Sequence, residues 1–134
     1  MNVRQLAEER VQYEIVRARR YKVPLSILVV SGGTEGTPEP QILEEVANQA
    51  RGADVVLPYT ANMVLVVLTH TGLDGALCFA RRAVDALADV GALAGLSTAP
   101  SGPSEGTDLL REAMEALAEA SADDPLRTYG EQEL

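Results

Sequence analysis

Three short runs of β-favouring apolar residues constrain what this chain can fold into more than any other feature: Leu25–Val30, Asp54–Pro58 and Met63–Thr69. Each is too short to span a membrane and lacks a regular polar alternation, so each reads as a strand in a sheet covered over at least one whole face. The second and third are separated only by Tyr59-Thr60-Ala61-Asn62, a spacing that predicts an antiparallel hairpin with a tight polar turn. A further strand is expected over Ala92–Thr98.

The chain also supplies the helices needed to cover such a sheet. Over residues 2–22, Val3, Leu6, Ala7, Val11, Ile15 and Ala18 recur at helical spacing with arginines on the other faces, and Val23–Pro24 ends the pattern. That stripe reads as core or dimer packing. A second helix from about Glu39 to Arg51 carries Ile42, Leu43, Val46, Ala47 and Ala50. A third, Gly72–Val90, carries Leu73, Ala76, Leu77, Ala80, Val84 and Leu87. Thr107 and Asp108 can cap a fourth, with Leu109, Leu110, Ala113, Ala116 and Leu117 on one side. The order helix, strand, helix, hairpin, helix, strand, helix is that of an α+β, palm-like fold: a mixed central sheet with an internal β-hairpin and helices packed on it. Residues 1–121 make a single domain that includes the helix over 2–22. Residues 122–134 form a polar tail that frays unless Leu126–Tyr129 adds an edge strand.

Charge narrows the partners. Residues 1–22 hold six basic and three acidic side chains (+3) and the remainder five and seventeen (−12), which together give the net −9. An acidic body of this kind repels polyanions, so nucleic acid is not an expected partner. No apolar run is long enough for membrane insertion, and the charges at Arg4, Glu8, Glu9 and Arg10 are unlike a secretory leader, so the expected location is the cytoplasm. Cys78, the only cysteine, excludes an internal disulfide and a multi-cysteine metal site, and reads as a small core residue. His70, the only histidine, has no nucleophile or ligand cluster beside it in sequence and reads as a surface or capping residue. Gly32–Gly33 lacks the spacing of a phosphate-binding loop, and Tyr59 at the expected turn is the one aromatic placed to stack on a base.

Particular segments add a resemblance. YEIVRARRYKVPLSILVV (Tyr13–Val30), RGADVVLPYTANMVLVVL (Arg51–Leu68), GLSTAP (Gly95–Pro100) and LLREAMEALAEA (Leu109–Ala120) resemble, in order and spacing, the segments of GGDEF (diguanylate cyclase) domains over about residues 5–121. Enzymes of that family join two GTP molecules into cyclic di-GMP, with metal ions on two acidic positions of the first strand. The resemblance places those positions on Ser31 and Gly33, and the Gly-Gly-Asp-Glu-Phe signature on Thr60-Ala61-Asn62-Met63-Val64. It also implies a shortened nucleotide-contacting segment at Ser31–Pro40, an entry motif falling before Met1, and Ala113–Met114 and Ser121 where the family has an aspartate and a phosphate-binding lysine. The expectation is a degenerate domain that is not an enzyme: no catalytic residue, no metal ligand and no cofactor.

One family motif is retained. Arg51-Gly52-Ala53-Asp54 matches the R-x-x-D inhibitory site, at its usual five-residue distance from the signature turn, and Arg82 lies where the family places a further arginine, a role Arg81 can also take. The resemblance implies that Arg51, Asp54 and Arg82 bind cyclic di-GMP, the arginine forking onto guanine or phosphate and the aspartate accepting from guanine nitrogens. The plain reading of the same residues is architectural: an arginine at the negative end of a helix and an aspartate opening a strand. The functional expectation is therefore a regulatory module acting on a protein partner or as a homodimer, with a cyclic di-GMP receptor as the alternative.

Overall fold

The computed structural model describes residues 2–32 and 39–130. Helix α1 (Val3–Tyr21) begins at a reciprocal cap: the Asn2 side chain accepts from the Gln5 backbone N–H at 2.8 Å, while the Gln5 side chain accepts from the Asn2 N–H at 3.0 Å. This satisfies two N–H groups that a helix start leaves open. The helix stops at Lys22, whose left-handed φ of 54° turns the chain toward Pro24. Next come β1 (Leu25–Ser31), α2 (Glu39–Gln49), β2 (Val55–Thr60), β3 (Met63–Thr69), α3 (Leu73–Ala86), a 3-10 turn at Ala88–Val90, β4 (Leu93–Ala99), α4 (Leu109–Glu119) and β5 (Leu126–Thr128).

The five strands lie in the order β2-β3-β1-β4-β5. β1 is central and antiparallel to both β3 and β4; β2 and β3 form the antiparallel hairpin, and β5 joins β4 in parallel. The segment from 122 thus contributes an edge strand. The uniform apolarity of the strands follows from their two covered faces. On one face Leu28, Val30, Val64, Val66 and Leu68 meet Ile42 and Val46 of α2 and Phe79, Ala80 and Ala83 of α3. On the other, Ile27, Val29, Leu65 and Val67 meet Val11 and Ile15 of α1 and Leu109, Ala113 and Leu117 of α4. Ser26, polar and fully buried, donates to the Thr71 carbonyl at 2.9 Å and shares a 2.8 Å hydrogen bond with Thr98, which removes the cost of burying its hydroxyl. Gly95 lets α4 lie directly on β4, since a Cβ there would run into the backbone of Ala113 and Leu117.

Several expected faces are corrected. Val3 and Leu6 are exposed, and the buried line of α1 is Ala7, Val11, Glu14, Ile15 and Ala18. At about 100° per residue, Leu6 points well away from that line. In α3 the large ring of Phe79 sets the buried face together with Ala76, Ala80, Ala83 and Val84, which leaves Leu73 exposed. Cys78 falls off the same face and is exposed, not in the core. The hairpin turn is tighter than Tyr59–Asn62, because β2 continues to Thr60. Among the described residues no helix is long and apolar enough to cross a membrane.

Candidate functional site

The two ends of the sheet hold the positions that the sequence singled out. At one end, Ser31 lies opposite Met63 in the β1–β3 ladder, and the Gly32 N–H donates to the Asn62 carbonyl at 3.0 Å. Ala61 and Asn62 make the turn, with the Thr60 hydroxyl donating to Asn62 Oδ1 at 3.4 Å. The end of the first strand and the hairpin turn are therefore brought together. The side chains there are a hydroxyl, an amide and a thioether. Gly33 lies outside the described residues, as does most of the segment Ser31–Pro40.

Tyr59 is not the exposed stacking residue the sequence suggested. A bulge between Pro58 and Thr60 leaves it without a ladder partner, and its ring is buried in the α1-side core. Its hydroxyl donates to Glu8 at 2.9 Å, and the Arg4 guanidinium stands 5.3 Å from its ring centre. Burial, then the hydrogen bond to the Glu8 carboxylate, raises the phenol above its ordinary pKa.

At the opposite end, Arg51 and Asp54 are in contact through a tight turn between α2 and β2. Asp54 Oδ2 accepts from the Arg51 backbone N–H at 2.9 Å and lies 3.8 Å from Arg51 Nε, while the Asp54 N–H returns to the Arg51 carbonyl at 3.0 Å. The carboxylate side chain is 2 % exposed and the arginine side chain 63 % exposed. The pair is thus divided in its chemistry: the aspartate is consumed by backbone and the guanidinium faces solvent. Arg82 reaches this end from α3, donating to the Gln49 carbonyl at 3.4 Å with its guanidinium 5.7 Å from the Phe79 ring centre. It is Arg82, not Arg51, that bonds the last carbonyl of α2. A cleft beside Arg51 and Asp54 is completed by Thr69, His70, Thr71 and Gly75, with His70 exposed at a φ of 53° as the chain leaves β3.

A charged group that sequence reasoning missed lies in an adjoining groove between α1 and the start of β2. Glu14 is 4 % exposed, 3.5 Å from Arg10 and 3.9 Å from Arg17. The signal was present as a glutamate four residues after one arginine and three before another. Its place inside the buried line of α1 was hidden by its charge. Among the described residues there is no cluster of three or more His, Cys, Asp or Glu able to hold a metal.

No family model matches the sequence, and no curated protein matches it. Solved structures do. The active GGEEF domain of a diguanylate cyclase from Vibrio cholerae superposes with a TM-score of 0.73 at 17% identity, over 90% of this chain and 92% of that one. The GGDEF domain of YfiN (TpbB) from Pseudomonas aeruginosa gives 0.77 at 17% identity, covering 96% of each chain. The GGDEF domain of DgcB from Caulobacter crescentus, solved in complex with c-di-GMP, gives 0.71 at 12% identity, over 96% of this chain and 91% of that one. At such identities the likeness is one of fold, and it is the palm-like α+β fold expected from the order of elements.

Proposed function

For a chain with the fold of GGDEF domains, we propose the role of a non-catalytic regulatory module that acts by contact with a partner protein. The observation that carries this reading is the meeting of β1 with the β2–β3 turn, where Ser31, Asn62 and Met63 occupy the place that the resemblance gives to the cyclase's acidic groups. Phosphoryl transfer from GTP needs a divalent cation to neutralise the phosphates, and Mg²⁺ is held through hard, usually carboxylate, oxygens. A serine hydroxyl, an amide and a thioether do not fit that ion. The purified chain should form no cyclic dinucleotide from GTP with Mg²⁺ or Mn²⁺. Protein-dependent product that disappears on adding a chelator overturns the proposal.

The alternative, a cyclic di-GMP receptor, is favoured by one observation: the Arg51 guanidinium is open to solvent beside a cleft, with Arg82 bonded to the same end of α2. A structural neighbour, DgcB, was solved with that dinucleotide bound. Against it stands the buried Asp54 carboxylate, which already holds the Arg51 backbone and would have to leave it to meet a guanine edge. Titration calorimetry separates the two readings. No heat of binding supports the contact module; binding weakened roughly tenfold to a hundredfold by Arg51→Ala supports the receptor.

A further inference from the structure

α1 presents two apolar lines, and only one of them is used by the fold. Among the described residues, five of the seven large hydrophobic residues left exposed lie on this helix: Val3, Leu6, Tyr13, Val16 and Tyr21. Leu6, Glu9, Tyr13, Val16 and Arg20 follow one another at alternating spacings of three and four, on the side away from buried Ala7, Val11, Ile15 and Ala18. That spacing is the seam of two helices packed along their length.

Apart from Arg19, which faces neither line, the charges of α1 that lie off this face are paired within the helix. Arg4 pairs with Glu8, and Arg10 and Arg17 both pair with Glu14, all within α1. Glu9 and Arg20 make no ion pair among the described residues and are exposed. Eleven positions apart, they are separated by about 16 Å along the axis and cannot meet within one helix.

We propose that the outer face of α1 binds a second copy of this chain in an antiparallel, two-fold arrangement, a partner that deepens the contact-module reading above. With the axis passing between Tyr13 and Val16, Tyr13 packs on the partner's Val16 and Glu9 meets the partner's Arg20. Symmetry repeats both contacts, giving an apolar centre closed at each end by an ion pair. The orientation is fixed by charge: a parallel pairing would stack Glu9 on Glu9 and Arg20 on Arg20. Because the face points away from the sheet, the two domains lie on opposite sides of the helix pair.

Sedimentation equilibrium of the full chain across the micromolar range tests this. The expected result is reversible association to twice the 14.2 kDa chain mass. Glu9→Arg and Arg20→Glu should each weaken association at least about tenfold, since each places like charges together twice, and the double variant should recover to within about threefold of the starting affinity. Tyr13→Asp should abolish the dimer. All three positions are on the solvent side of the helix, and far-UV circular dichroism verifies that each variant is folded. A chain that stays monomeric, single reversals without effect, or a double variant that fails to recover overturns the assignment. A monomer leaves the contact module with a different partner, whereas metal-dependent synthesis of cyclic dinucleotide overturns that module and leaves the dimer standing.

Discussion

The two ends of the sheet are built on the same strands and are chemically opposite. Where β1 meets the β2–β3 turn, the facing residues are Ser31, Thr60, Ala61, Asn62 and Met63, with backbone hydrogen bonds holding them and no charge among them. Where β2 starts and β3 ends, Arg51, Asp54, Arg82 and His70 gather, with Arg10, Glu14 and Arg17 in the next groove. One set of strands can therefore carry a charged cluster at one end and uncharged side chains at the other. Ladder pairing sets the geometry, whereas the chemistry rests on a few side chains that the ladder does not need.

The largest expected effect is at the charged end. Asp54→Ala removes the buried acceptor that closes the turn into β2, and should cost about 2 kcal/mol, while Arg51→Ala, whose side chain is mostly in solvent, should cost less than about 1 kcal/mol. Urea unfolding of the two variants measures the gap. Equal losses would mean that the ion pair, not the carboxylate-to-backbone bond, holds this end.

Tyr59→Phe, beside the hairpin turn, should cost about 1 kcal/mol by deleting the hydrogen bond to Glu8 while keeping the ring in place. The same residue gives a pH signature. Its phenol is raised in the folded protein, so the folded state holds that proton more tightly than the unfolded chain. The corresponding stability is fully present below the unfolded value of about 10 and is lost as the pH rises through the folded one. Ultraviolet difference titration should show one of the four tyrosines ionising late, and Tyr59→Phe should remove that phase. Four tyrosines that titrate together in the folded protein would contradict the buried hydrogen bond.

The smallest effect is expected from placing carboxylates at the hairpin-turn end. Ser31→Asp with Met63→Glu alters partly exposed positions at the end of a ladder, should change stability by less than about 1 kcal/mol, and should produce no cyclic dinucleotide from GTP. Two carboxylates alone do not make a nucleotide-binding pocket. Measurable synthesis by this variant would show that two carboxylates are enough to make this end of the sheet a catalytic site.

Much of the fold was written in local patterns. The all-apolar strands, the Asp108 cap of α4, whose side chain accepts from the Arg111 N–H at 3.0 Å, and the order of elements were legible because each depends on neighbours in sequence. The Arg51–Asp54 contact was legible for the same reason, as a four-residue turn. Arg82 was legible as a residue, but its acceptor, Gln49, lies 33 positions away.

What the sequence alone determined was the inventory: which segments form strands and helices, and which side chains stand at each end of the hairpin. Which face of each element is used was settled by packing between segments distant in sequence. Leu6 and Val3 were drawn into the expected core by spacing, yet the sheet receives α1 along the line of Ala7, Val11, Ile15 and Ala18, and accepts Glu14 within it. Helical periodicity supplies a stripe wider than the contact it serves, so the choice within it belongs to the partner surface, here β2 and β3. Tyr59 shows the same limit: a turn signal placed it in solvent, and a bulge with Glu8 across from it placed it in the core, because a hydrogen-bond partner 51 positions away is invisible to local reasoning.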